Sequence, residues 1–195
     1  MAAVARGDCQ REVADAASED GIELGLQRFS WLCQQGHLAL PAESPARGQL
    51  DQIFDALQGD LDVLADARTT ALTGDFLHEP TGTLIEVDEH QHFSSARLIT
   101  LNHYPGDARL GFRLDHYKAL CKRWKRDADK AFAHKEARPF PGSHGRQRQR
   151  AYYDALRDLA APAMGQPPLI RIDAALDNGR AAYASHRERL VALLG

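Results

Sequence analysis

The residues best placed to do chemistry lie between Asp75 and His92, in the stretch DFLHEPTGTLIEVDEHQH. Asp75 closes one apolar run, and Glu86 and Asp88 sit two apart in a second, Leu84-Ile85-Glu86-Val87-Asp88. Pro80, Thr81 and Gly82 give a turn signal between the runs. Two strands joined there would make a hairpin. Side chains alternate along a strand, so Glu86 and Asp88 would share one face and Val87 would take the other. Three carboxylates converging on one face repel one another unless something positive sits between them. A hard divalent cation held by oxygens is the usual answer. Gln91 and His92 follow at once and could add a base or a polar ligand. Solvent-facing acids on an edge strand need no metal, and Asp75 alone would carry no argument. Asp75, Glu86, Asp88, Gln91 and His92 together do, because a charged pair inside an apolar run is costly to bury without a partner.

This stretch resembles the active-site hairpin of the PD-(D/E)xK, or restriction-endonuclease-like, nucleases. It is most similar to the branch related to very-short-patch-repair endonucleases, which often carries Glu-x-Asp-Gly-x-x-His in place of Glu-x-Lys. Asp75 matches the first family aspartate and Glu86 the second acid. Asp88 takes the position where many members have lysine, and His92 is the trailing histidine. Glu89 stands where the branch usually has glycine. A weaker echo covers 153–173, where a helical pattern with Arg157 precedes Pro-Leu-Ile-Arg-Ile. The resemblance implies an α/β fold with a restriction-endonuclease-like core, a small mixed sheet flanked by helices. It implies Mg²⁺ (or Mn²⁺) on Asp75, Glu86 and Asp88, with catalysis by these acids together with Gln91 and His92. It also implies a nucleic-acid partner, DNA ahead of RNA, and often a homodimer. Gln91, or a lysine such as Lys118, would have to replace the absent Glu-x-Lys lysine. His90 and His92 on one strand face would suit zinc less well than they suit this hairpin.

The charge distribution points the same way. The net charge is −3, but residues 109–157 hold 14 of the 24 Lys and Arg and five of the 27 acids. That segment is therefore +9 and the remainder −12. Cations meet backbone phosphates, and acids hold metal. The contacts expected from this segment are Lys118, Lys122, Arg123, Lys125 and Arg126, followed by Arg146, Arg148 and Arg150.

The chain of 195 residues is long enough for one domain with a sizeable core. No apolar run approaches the roughly 20 residues needed to span a bilayer, and the N-terminal residues do not read as a secretory signal. Three scattered cysteines without metal spacing argue for a reducing cytoplasm rather than a disulfide framework. Residues 1–48 read as an N-terminal helical segment, with one helix over 10–36. Residues 49–195 read as the nuclease-like domain, with a basic helical insertion at 109–150. Within it the pattern predicts a helix over 49–57, with Asp51 as a further candidate acid. Strands are expected in 62–76, 83–88 and 169–172, and helices over 114–134, 149–159 and 181–194. Residues 94–104 fit either a helix or a strand, and 137–150 read as a basic loop. Two functions follow: a metal-dependent nuclease, or a nuclease-fold module that binds nucleic acid without cutting it. A regulatory partner of an acidic protein is a more distant third.

Overall fold

The computed structural model describes residues 7–26, 28–131 and 133–195, and it is a mixed α/β fold. Helix α1 (Asp8–Glu19) leads into strand β1 (Arg28–Cys33). A 3-10 turn precedes helices α2 (Pro45–Ala56) and α3 (Leu61–Ala65). Strands β2 (Ala71–Thr73), β3 (Phe76–His78) and β4 (Thr83–Glu89) follow. Then come α4 (Ser95–Asn102), α5 (Leu114–Ala128), α6 (Gly145–Ala163), β5 (Ile170–Ala174) and α7 (Gly179–Leu194).

The single helix expected over 10–36 is two elements. Gly21, at φ +78°, closes α1. The Gly21 N–H bonds to Ser18 and the Ile22 N–H bonds back to Ala17, which caps the helix C-terminus, and buried Ile22 folds onto it. Phe29, Leu32 and Cys33 then belong to β1, which pairs antiparallel with β2. The ambiguous 94–104 is helical, because the Ser94 hydroxyl caps α4 through the Arg97 N–H. Helix α5 stops at Ala128, short of the expected 134, and Phe132 lies outside the described residues. Helix α6 starts at Gly145, four residues earlier than read.

The three-stranded sheet runs β3-β4-β5. β3 and β4 form an antiparallel hairpin turning at Gly82, whose φ is +68°. β5 returns parallel to β4 after the crossover through α4, α5 and α6, with Glu86 opposite Arg171 and Asp88 opposite Asp173. β4 is central and nearly all buried, as expected for a strand covered on both faces. One face carries Ile85, Val87, Ile170 and Ile172, which pack on α1 and α7. Cys9 of α1 belongs to this layer, so the N-terminal helix is part of the packing around the sheet. The other face carries Glu86, Asp88 and Arg171, towards α4 and α6. A second core joins α2, α4, α5 and α6 around Phe54, Phe140, Tyr152, Phe93 and Tyr117. The three cysteines are buried thiols. Among the described residues no helix is long and apolar enough to cross a membrane.

Candidate active site

Asp75 does not end a strand, as the sequence suggested. It lies in the bend between β2 and β3, because the first strand of the hairpin begins at Phe76. The bend puts it against the next strand. Its Oδ2 accepts the Val87 N–H at 2.8 Å, and its own N–H donates to Glu86 Oε1 at 3.3 Å. Asp75 Oδ1 and Glu86 Oε2 accept no hydrogen bond among the described residues. Glu86 is buried, and Arg157 of α6 sets its Nε 3.2 Å from Oε1. That approach is a charge contact, since Nε has no aligned hydrogen-bond acceptor.

Asp88 shares the face of Glu86 but is committed elsewhere. Both its oxygens accept from Arg171 Nη1, at 2.8 and 2.9 Å. Arg171 is fully buried, and its Nε donates to Asp158 at 2.8 Å. Asp158 also accepts from Arg97 Nη2 at 2.6 Å and from the Tyr104 hydroxyl. His92 completes the network, with Nδ1 3.2 Å from both Asp88 and Asp154. Three carboxylates thus face two guanidiniums and one imidazole, and the set is neutral when His92 is protonated.

Asp88, His92 and Asp154 are the group of three whose ligand atoms lie within 4.8 Å of one another among the described residues. Asp75 and Glu86 stand outside it. Arg171 already supplies the positive charge between these acids, so the group is a poor home for a cation despite its donor types.

The pKa directions follow from this arrangement. Burial raises Asp75, and the Val87 N–H opposes it. Burial outweighs Arg157 at Glu86, Asp75 pushes further, and the carboxyl rises to about 7. Burial alone would lower His92, but Asp154 and Asp88 more than offset it and the imidazole is raised. Asp154 is also buried, yet Arg171 and His92 hold it well below the usual carboxylate range.

Glu86 therefore binds its proton more tightly in the folded chain than in the unfolded one. The stability this contributes is fully present below about 4.5 and is lost as pH rises to about 7. Asp75 acts with the same sign. Stability measured by urea unfolding is expected to fall across that window, and Glu86→Gln should flatten the fall. An unchanged slope in the variant would place the effect on another group.

These acids line a cleft of about 820 Å³, with Asp75, Glu86, His92 and Asp154 among its residues. Arg68, Arg138, Arg146, Arg150 and Arg157 also line it. Other expected residues stand apart. Gln91 donates to Glu89 and does not line the cleft, and His90 pairs with Asp177 instead of joining His92. Asp51 is exposed on α2, 3.3 Å from the buried His37 ring. On α5, Lys118 is half-buried and Lys122, Arg123, Lys125 and Arg126 are exposed, and none lines the cleft. Arg123 lies over the Trp124 ring. Arg148 bonds to the main-chain oxygens of Leu57, Pro141 and Ser143, which ties the loop to α2. Arg150 reaches the Gln91 carbonyl at 3.5 Å.

Sequence reasoning missed Arg97, Asp154 and Asp158, and it missed Arg68 and Arg138 as cleft residues. A signal existed for some of them. Arg171 interrupts the apolar Leu169-Ile170-Arg171-Ile172, and Asp154 and Asp158 lie one turn apart on an otherwise apolar helix face. Arg138 falls in the basic loop expected at 137–150, and nothing local marks Arg68.

A family model described as a family of unknown function (DUF7255) matches residues 52–137. The match takes in Asp75, Glu86, Asp88 and His92 and ends before Asp154, Arg157 and Arg171. No curated protein and no solved structure matches the chain.

Proposed function

We propose that this chain is a metal-dependent nuclease that hydrolyses phosphodiester bonds of nucleic acid, DNA before RNA, on a restriction-endonuclease-like core. The observation that carries the reading is the pairing of Asp75 with Glu86 in an arginine-lined cleft. The hairpin β3-β4, with β5 parallel to β4 across a helical crossover, supports the fold part of the reading.

Two carboxylates, each with one oxygen that accepts no hydrogen bond among the described residues, suit Mg²⁺ or Mn²⁺. Asp88 is not offered as a third ligand, because Arg171 takes both its oxygens. When bound, the cation would polarise the scissile phosphate and lower the pKa of an attacking water. Arg157 is the positive group beside Glu86 and takes the part of the absent lysine better than Gln91 or Lys118, neither of which lines the cleft. The raised pKa of His92 favours the protonated ring, so we read it as proton donor to the departing oxygen rather than as the base.

The test is plasmid nicking and single-strand digestion with Mg²⁺ and with Mn²⁺. His92→Ala is expected to slow cleavage by about 10²–10⁴ while leaving metal binding nearly intact. Equal rates in parent and variant would remove His92 from the chemistry. One arrangement favours a second reading, a module that binds without cutting. Glu86 and Asp88 each already face an arginine, so both acids are neutralised by the protein itself. A parent that binds nucleic acid and cleaves nothing with either metal would establish that reading.

A further inference from the structure

We infer that the strand this cleft accepts is single, or freed from its duplex at an end or break, and that intact duplex does not enter it. The inference rests on the phosphodiesterase reading and names its substrate class. Size is the first reason. A cleft of about 820 Å³ falls in the ~300–1,000 Å³ range of sites that enclose one small ligand. It holds a short piece of a strand, not a double helix. Depth is the second. Glu86 is 6% exposed, so a phosphodiester must enter the cleft to meet it. Duplex DNA is stiff over ~150 base pairs and keeps its phosphates on the outside of a rigid cylinder. A single strand bends at every residue and can carry one phosphate inward.

The walls are the third reason. Arg68 follows α3, Arg138 lies in the loop before α6, and Arg146 opens α6, so exposed guanidiniums arrive from separate segments. None of the three pairs with a carboxylate among the described residues. Cations along a groove are how proteins track a single-strand backbone. Gln34 and Gln149 also line the cleft, and the Gln149 amide, whose oxygen accepts from Arg146, has N–H groups that can bond base edges. The basic residues of α5 lie outside the cleft and serve as the control.

The experiment is fluorescence anisotropy in EDTA, with a labelled single strand of about six nucleotides and a blunt hairpin duplex of the same sequence. The proteins are the parent, Arg68→Ala/Arg138→Ala, and Lys122→Ala/Arg123→Ala. The single strand is expected to bind the parent at least about tenfold more tightly than the hairpin at equal salt. The cleft pair should lose about tenfold on the single strand and change the hairpin less than about twofold. The α5 pair should leave the single strand within about twofold. Three results would each overturn the inference: equal affinity for the hairpin, equal losses on both probes in the cleft pair, or no binding of the single strand. The hydrolytic reading is judged separately. Single-strand binding as described without cleavage in Mg²⁺ or Mn²⁺ leaves the inference standing and ends that reading. Internal cleavage of closed duplex with the single strand untouched does the reverse.

Discussion

Asp75→Ala and Glu86→Ala are each expected to abolish metal-dependent cleavage, with a loss of at least about 10²–10³ in rate. A bound metal supplies several kcal/mol of transition-state stabilisation, and each ~1.4 kcal/mol is a factor of ten. The two acids share one hydrogen-bonded arrangement, so losing either should cost nearly as much as losing both. Folding should survive, because each variant removes a carboxyl whose burial is already unfavourable to its charged form. The measurement is nicking of plasmid and digestion of single strand, with calorimetric titration of Mn²⁺ into each protein. Activity persisting equally in Asp75→Ala would show that the hairpin is not the site.

The largest effect on stability is expected at Arg171. Arg171→Leu keeps much of the volume and removes the charge, which strands Asp88 and Asp158 in the interior. Breaking a buried pair from one side costs about 3–5 kcal/mol, a large part of the ~5–15 kcal/mol that holds a domain folded. Urea unfolding at neutral pH is the measurement. A change under about 1 kcal/mol would mean that the two acids find other partners or water. Adding Asp88→Asn to Arg171→Leu should recover part of the loss, since an amide carries no charge to strand. That recovery distinguishes an electrostatic role from simple packing.

Acids gathered on one face of a sheet need positive charge between them. For Asp88 that charge is an arginine of the adjacent strand, across the parallel pair that joins Glu86 to Arg171 in register. Parallel pairing brings together residues some 80 positions apart, and no spacing rule within a single stretch announces it. The basic segment shows the same limit. Its charge is legible as composition, yet Arg148 is used to hold a loop and Arg150 reaches a main-chain carbonyl. Of the cleft arginines, Arg138, Arg146, Arg150 and Arg157 belong to that segment and Arg68 comes from outside it.

By itself the sequence determined the local features. The Pro80-Thr81-Gly82 turn requires a hairpin, and period two sets Glu86 and Asp88 on one face and Val87 on the other. The apolar stripe of Leu50, Ile53 and Phe54 makes α2 amphipathic, and the scattered cysteines remain thiols. These are set by dihedral preference and periodicity over a few residues, so neighbours in the chain suffice to read them. Only the tertiary structure decided which acid is committed to an arginine and which has an oxygen that accepts no hydrogen bond among the described residues. That choice depends on where the guanidiniums of Arg157 and Arg171 come to rest, and their positions follow from the packing of α6 and β5 against the hairpin. Charges in a low-dielectric interior respond to partners a few ångströms away in space, however far apart they lie along the chain.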